Sequence, residues 1–317
     1  MPPAGSTRVA AYDCGTNSLR LLIADVVDGR LVDVVRDLEV VRLGQGVDET
    51  GRFADDALER TFASAERYAA LCAQHGVERV RFAATSATRD ASNREEFIRR
   101  ITEIVGVVPE VVSGTEEAAL SFRGAASTAP ARDGLTLVVD LGGGSTELVL
   151  GGEEPVAAFS MDVGSVRMTE RHVHSDPPTV DEVEEVRRDV RAALDEALRT
   201  VDVARTTTIV GVAGTITTVT AHALRLDRYD SAAIDGVELT LETILDACDD
   251  LSTMPRAERA ALPYVHPGRV DVIPAGAMVW AEVLRRVRTE GAAVGGGIGS
   301  VVTSEHDILD GLALSLA

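Results

Sequence analysis

Two segments of this chain carry the same phrase. Asp13-Cys-Gly-Thr-Asn-Ser18 and Asp140-Leu-Gly-Gly-Gly-Ser145 bring Asp, Gly and Ser into register as Asp13/Asp140, Gly15/Gly142 and Ser18/Ser145. Each follows an apolar run, Val9–Tyr12 or Leu135–Val139, and leads into another. That pattern predicts strand, tight turn, strand. Glycine lets backbone amides approach an anion with no Cβ in the way, and Ser and Thr hydroxyls add donors. An Asp at the strand end repels phosphate but can hold Mg²⁺, which bridges to the phosphate. The same residues suit an ordinary hairpin turn. Two copies in register favour a phosphate-and-metal clamp over that plainer reading.

The elements around the two turns repeat as well. Strands are expected at Arg8–Asp13, Leu19–Val27 and Leu31–Leu43, with Asp28-Gly29 turning between the second and third. A helix follows at about Ala54–His75, with Leu58, Phe62, Ala65, Ala69 and Cys72 at helical spacing and Gly76 as its stop. Then come strand Arg79–Ala84, helix Asn93–Val105, strand Val107–Val112 and helix Thr115–Ala125. Ser127–Gly134 is small, polar and Pro-containing and reads as a hinge. The second half runs Leu135–Asp140, Thr146–Gly151 and Pro155–Ser160 as strands. A long helix follows at Thr179–Val201, with Thr179 and Glu182 as a capping box. Strand Thr206–Val212, a helix after Gly214, and helices Ile273–Thr289 and Glu305–Ala317 complete it. The expectation is an α/β chain of two similar domains facing a central cleft, where such folds bind ligand. Their expected bounds are 1–126 and 127–302, with 303–317 packing back on the first.

Composition sets limits. The chain has 317 residues, 45% hydrophobic and 26% charged, enough for two domains with real cores. A formal net charge of −20 argues against a general nucleic-acid or membrane-surface binder. No apolar run approaches a membrane span, and Met1–Arg8 has no signal-peptide core. Cys14, Cys72 and Cys248 are scattered and odd in number, and read as reduced thiols of a cytoplasmic protein. Lysine is absent, so every basic residue counted is Arg, whose planar fork suits phosphate. His172 and His174 read as loop residues rather than a metal pair, and Met161 and Trp280 as core or interface.

From Val9 to about Leu314 the chain resembles the exopolyphosphatase / guanosine pentaphosphate phosphohydrolase family of the actin-like ATPase superfamily, in its short two-domain form of ribonuclease H-like domains. The resemblance is carried by Asp13–Arg20, Ala84-Thr-Ser-Ala-Thr-Arg89, Ser113-Gly-Thr-Glu-Glu117, Asp140–Glu147, Gly211–Thr218 and Asp271-Val-Ile-Pro-Ala-Gly276. It implies that Glu117 orients and deprotonates the attacking water. It implies that Asp140 and Glu147 hold Mg²⁺ (or Mn²⁺) with Asp13 nearby. Gly15, Thr16, Asn17 and Ser18, together with Gly142, Gly143, Gly144 and Ser145, would grip the terminal phosphates, and Arg89 the phosphate chain. Arg20 and Arg94 are further candidates for phosphate contact. Family members are often homodimers, and this is the expectation here.

The chain departs from the family pattern at Ala119 and Leu309, each standing where an Arg or other basic residue is usual. Those losses bear on chain-length preference. The favoured reading is hydrolysis of the terminal phosphoanhydride of inorganic polyphosphate, with short chains suited to a protein of this charge. A guanosine pentaphosphate 5′-phosphohydrolase is the alternative within the family. An ATP-dependent kinase, with Gly211–Thr218 at the nucleotide position, and a non-catalytic phosphate or nucleotide sensor are the more distant ones.

Overall fold

The computed structural model describes residues 6–126 and 134–317, so the hinge expected at 127–134 lies outside the described residues except for Gly134. The chain divides into two compact units. One is formed by residues up to 124 together with 308–317, the other by 125–307. Among the described residues no helix is long and apolar enough to cross a membrane.

In the first unit β1 (Thr7–Cys14), β2 (Ser18–Val27) and β3 (Arg30–Val40) form an antiparallel meander. Asp28 and Gly29 both take positive φ, 51° and 74°, as a two-residue turn matched to strand twist requires. Loop 41–46 leads to α1 (Val47–Thr50) and then to the long α2 (Asp55–His75), which ends on Gly76 in the left-handed region. Next come β4 (Arg79–Ala84), parallel to β1, and the short α3 (Ser86–Asp90). After α4 (Arg94–Val105), β5 (Glu110–Val111) pairs parallel to β4, giving the order β3-β2-β1-β4-β5. β5 is shorter than the expected Val107–Val112, because Pro109 has no N–H to give the ladder.

Strand β1 is buried on both faces, and the alternation of its side chains explains why. Ala10, Tyr12 and Cys14 face a cluster with Tyr68, Phe82, Phe97 and Ile101 from β4, α2 and α4. Val9 and Ala11 face the opposite cluster with Leu120, Ile308, Leu309 and Leu312. Those residues come from α5 (Gly114–Ala126) and the last helix, α13 (Ile308–Leu314). Leu309 is therefore a core residue, 1% exposed, where the family pattern has a base. Ala119 is exposed on α5. The last helix starts later than the expected Glu305, because the Ser304 hydroxyl accepts the His306 amide in a local turn first.

The second unit repeats the plan. β6 (Leu135–Leu141), β7 (Thr146–Gly151) and β8 (Pro155–Met161) form the meander, and β9 (Thr206–Val212) pairs parallel to β6. Beyond β9 lie β11 (Ser300–Thr303), parallel to it, and β10 (Glu238–Thr240), antiparallel to β11. The order β10-β11-β9-β6-β7-β8 is that of the first unit with one added edge strand. The core gathers α7 (Val180–Ala197), α10 (Leu241–Thr253) and α12 (Ile273–Ala293), with Trp280 fully buried. Thr179 and Glu182 form the expected capping box at the start of α7. α8 (Gly214–Ala223) follows β9, and the short α9 (Ser231–Ile234) and α11 (Arg256–Ala261) lie on connections. Neither α10 nor α6 (Ser165–His172) is in the sequence reading. The period of Leu241, Ile244, Leu245, Cys248 and Leu251 behind a Thr240 cap carries the signal for α10. His172 closes α6 and bonds Asp189 at 2.8 Å, so it lies on a helix rather than in the expected loop.

Candidate active site

The two glycine turns are closed the same way. Gly15 N–H donates to Ser18 O at 3.0 Å, and Gly142 N–H to Ser145 O at 3.0 Å. In each turn the carbonyls are tied back by the segment that follows the third strand of the meander. In the first unit Arg42 N–H donates to Asn17 O at 2.9 Å and Gly44 N–H to Thr16 O at 2.8 Å. In the second, Ser165 N–H donates to Gly142 O at 3.0 Å and Val166 N–H to Gly143 O at 2.8 Å. The Arg167 Nε donates to Gly144 O at 2.8 Å. The amides of Thr16, Asn17, Gly143, Gly144 and Ser145 donate to no protein atom among the described residues. Carbonyls held and amides spare is the arrangement of an anion nest. The buried Thr16 hydroxyl also has no partner among the described residues. A phosphate would satisfy such donors.

This backing depends on two glycines that the sequence reading does not single out. A Cβ on Gly44 would fall inside the Thr16 side chain. A Cβ on Gly164 would lie 2.5 Å from Gly143 O and 2.7 Å from the Gly144 carbonyl carbon. The signal was present: Leu43-Gly44 and Val163-Gly164 are apolar–Gly pairs just beyond the third strand of each meander.

The acids at the strand ends differ between the units. Asp13 pairs in register with Arg20, whose guanidinium reaches its carboxylate at 2.6 and 2.8 Å. At the corresponding register Asp140 faces Glu147. They are 6% and 1% exposed, so neither is a surface acid. Ser160 Oγ donates to Glu147 Oε1 at 2.7 Å. Directly opposed like charges on neighbouring strands destabilise a sheet. A cation between them removes that cost. No group of three or more His, Cys, Asp or Glu poised to hold a metal occurs among the described residues. Two carboxylates still fit a hard cation such as Mg²⁺, which commonly takes one or two acids and completes its shell with water and phosphate oxygens.

Glu117 is the best-defined acid of the first unit. It lies in the first turn of α5, where Ser113 O accepts its amide at 2.9 Å and Ser113 Oγ accepts that of Glu116 at 3.2 Å. The two neighbouring acids point to different surroundings. Glu116 is exposed and meets Arg81 at 3.0 Å, whereas Glu117 is only 8% exposed. Arg89 Nη1 donates to Glu117 Oε2 at 2.6 Å and to Val112 O at 3.1 Å. Thr85, buried at 4% exposure, favours the charged form of Glu117. Burial pushes the Glu117 carboxyl above its ordinary value, and the charge of Asp13 adds to that, while Arg89 and Thr85 oppose it. Glu117 is therefore not a solvated first-turn acid, and a buried carboxyl with a raised pKa and a single charged partner is a candidate for acid–base work. Thr85 was not among the expected residues. Its amide donates to Cys14 O at 3.1 Å, so β4 carries Thr85 and α3 alongside the Gly15 turn. Arg94, a further candidate, is exposed.

The segment Gly211–Thr218 runs from the end of β9 into α8. A Cβ on Gly214 would collide with the Arg269 guanidinium. Tyr229 joins Thr217 at 2.9 Å and Glu305 at 2.6 Å beside it.

Comparison with known proteins gives a consistent result. The profile of the Ppx/GppA phosphatase family matches residues 22–314. Over 320 aligned residues the chain is 51% identical to exopolyphosphatase 2 of Mycobacterium tuberculosis, covering 98% of this chain and 99% of that protein. A crystal structure described as an exopolyphosphatase-like protein superposes with a TM-score of 0.95 at 51% identity, covering 98% of each chain. The guanosine-5′-triphosphate,3′-diphosphate pyrophosphatase of Vibrio cholerae is 28% identical over 91% of this chain, which spans 56% of that longer protein. The family match over residues 22–314 and the 51% identity across nearly the whole chain place this protein in the Ppx/GppA phosphatase family.

Proposed function

We propose that this protein is an exopolyphosphatase, hydrolysing the terminal phosphoanhydride of inorganic polyphosphate and releasing orthophosphate. The observation that carries the reading is Glu117, buried in the first unit and held in place by Arg89. Phosphoryl transfer needs a phosphate held in line, its charge offset, and a water oriented. In this reading the spare amides of the two turns bind phosphate oxygens, and Glu117 orients the water and takes its proton. Asp140 and Glu147 hold the divalent cation, Mg²⁺ or Mn²⁺, which when bound offsets phosphate charge. Asp13 stays as a third acid near the phosphates, its charge shared with Arg20. The 51% identity to a protein named exopolyphosphatase 2 supports polyphosphate as substrate. The more distant Vibrio cholerae relative supports guanosine pentaphosphate as the second reading. The reading has the protein working in the cytoplasm as a homodimer.

The test is orthophosphate release with Mg²⁺ from short polyphosphate, long polyphosphate, guanosine pentaphosphate and ATP, for the natural chain and Glu117→Gln. Release from polyphosphate, reduced about 10²–10⁴-fold in the variant, is the expected result. Release from guanosine pentaphosphate alone moves the assignment to the second reading. Undiminished release in a folded Glu117→Gln protein rules out the role given to Glu117.

A further inference from the structure

The general base and the arginine expected on the phosphate chain are each other's partners in this chain. Arg89 reaches Glu117 through Nη1 alone, and the same nitrogen serves Val112 O. Its other guanidinium nitrogens donate to no protein atom among the described residues. The Arg89 side chain is 22% exposed, so the unused edge of the guanidinium is within reach of solvent and of an incoming anion. A phosphate oxyanion competes well for that fork, because it accepts two parallel hydrogen bonds where Glu117 takes one.

We propose that Arg89 is exchanged between Glu117 and substrate: it holds Glu117 in the ligand-free protein, and the terminal phosphate draws it away as it binds. This rests on the hydrolase reading above. The fold keeps Glu117 in place after Arg89 leaves, since it is 8% exposed in the first turn of α5 with its amide held by Ser113 O at 2.9 Å. Departure of Arg89 also removes the first of the two groups opposing burial at the Glu117 carboxyl, so the carboxylate becomes more basic when water must be deprotonated. A base neutralised in the empty site and uncovered by substrate is selective for polyanions. The competing arrangement leaves Arg89 on Glu117 throughout, as a fixed positioning group that does not touch phosphate.

The test is a double-mutant cycle read by calorimetric binding of a methylene-bridged triphosphate analogue with Mg²⁺, on the full chain, Glu117→Gln, Arg89→Gln and the double variant. Exchange predicts that Glu117→Gln tightens binding about 5- to 30-fold, the range of one charge-assisted contact no longer broken. In the Arg89→Gln background most of that gain disappears. Removing a negative charge favours any anion, but that general gain is common to both backgrounds and cancels in the cycle. Arg89→Lys, which keeps the charge, restores part of the coupling. Urea midpoints of all variants establish that each is folded, and Arg89→Lys carries the test if Arg89→Gln is not. An equal gain in both backgrounds, or none in either, overturns the exchange. Orthophosphate release by the natural chain decides the hydrolase reading separately.

Discussion

Replacing Gly164 by Ala tests whether the second glycine turn works as a rigid cradle. The backbone of Gly164 is extended, φ −145° and ψ 169°, so Ala is not strained by conformation. The cost is contact. The new Cβ would lie 2.5 Å from Gly143 O and 2.6 Å from its carbonyl carbon, where ordinary contact begins at 3.4 Å. The turn and the start of α6 must therefore part by about 0.9 Å (3.4 less 2.5), and both neighbours are backbone with no rotamer to yield. Overpacking of this kind costs about 1–3 kcal/mol of stability. The larger effect is on rate, because the moving atoms carry the amides of Gly143, Gly144 and Ser145. A misplacement of about 1 Å at reacting groups costs roughly 10²-fold. Steady-state orthophosphate release should show kcat down by about that factor, with the urea midpoint lowered in parallel. Gly152→Ala is the control, since a Cβ there meets nothing within 4 Å. A folded Gly164→Ala protein with kcat and midpoint unchanged, like the control, refutes the cradle.

Other expectations follow from the same structure. Gly311→Ala places a Cβ against the backbone of Leu120, 2.8 Å from its carbonyl carbon, and should lower the unfolding free energy in urea by about 1–3 kcal/mol through loosened docking of α13. Thr179→Ala removes the hydroxyl that accepts the Glu182 amide and should cost about 1 kcal/mol in the same assay, with kcat unaffected. Glu117 must be deprotonated to act as base and its carboxyl is displaced upward, so kcat/KM should fall as pH drops through a value above about 4.3, the ordinary glutamate value. An acid limb at or below that value in a pH–rate profile contradicts the burial argument. Asp140→Asn and Glu147→Gln should each raise the Mg²⁺ concentration needed for half-maximal phosphate release, and chelator should abolish release by the natural chain.

Most of the architecture was legible because it repeats. The paired turns, the meanders, the Thr179 capping box and the Gly76 stop all rest on local chemistry, so they survive being read one segment at a time. What escaped depends on the tertiary fold. Thr85 lies next to the Gly15 turn only because β4 pairs parallel to β1. Gly44 and Gly164 matter because a returning loop presses on a turn more than 20 residues earlier in the chain. Leu309 reads as a lost cation until the fold places it in the core between α13 and β1.

The repeat is most informative where it is broken. At the same register of the same hairpin one unit sets Arg20 opposite Asp13, and the other sets Glu147 opposite Asp140. The first pair is neutralised within the protein. The second sets two buried acids against each other, the pair to which the proposed function gives the cation. A single position in each copy thus separates the roles of two otherwise similar turns. The first unit carries its own positive charge and adds the Glu117–Arg89 pair beside it. The second carries no such arginine at that register, so replacing Asp140 or Glu147 should change the Mg²⁺ dependence of phosphate release where replacing Arg20 should not.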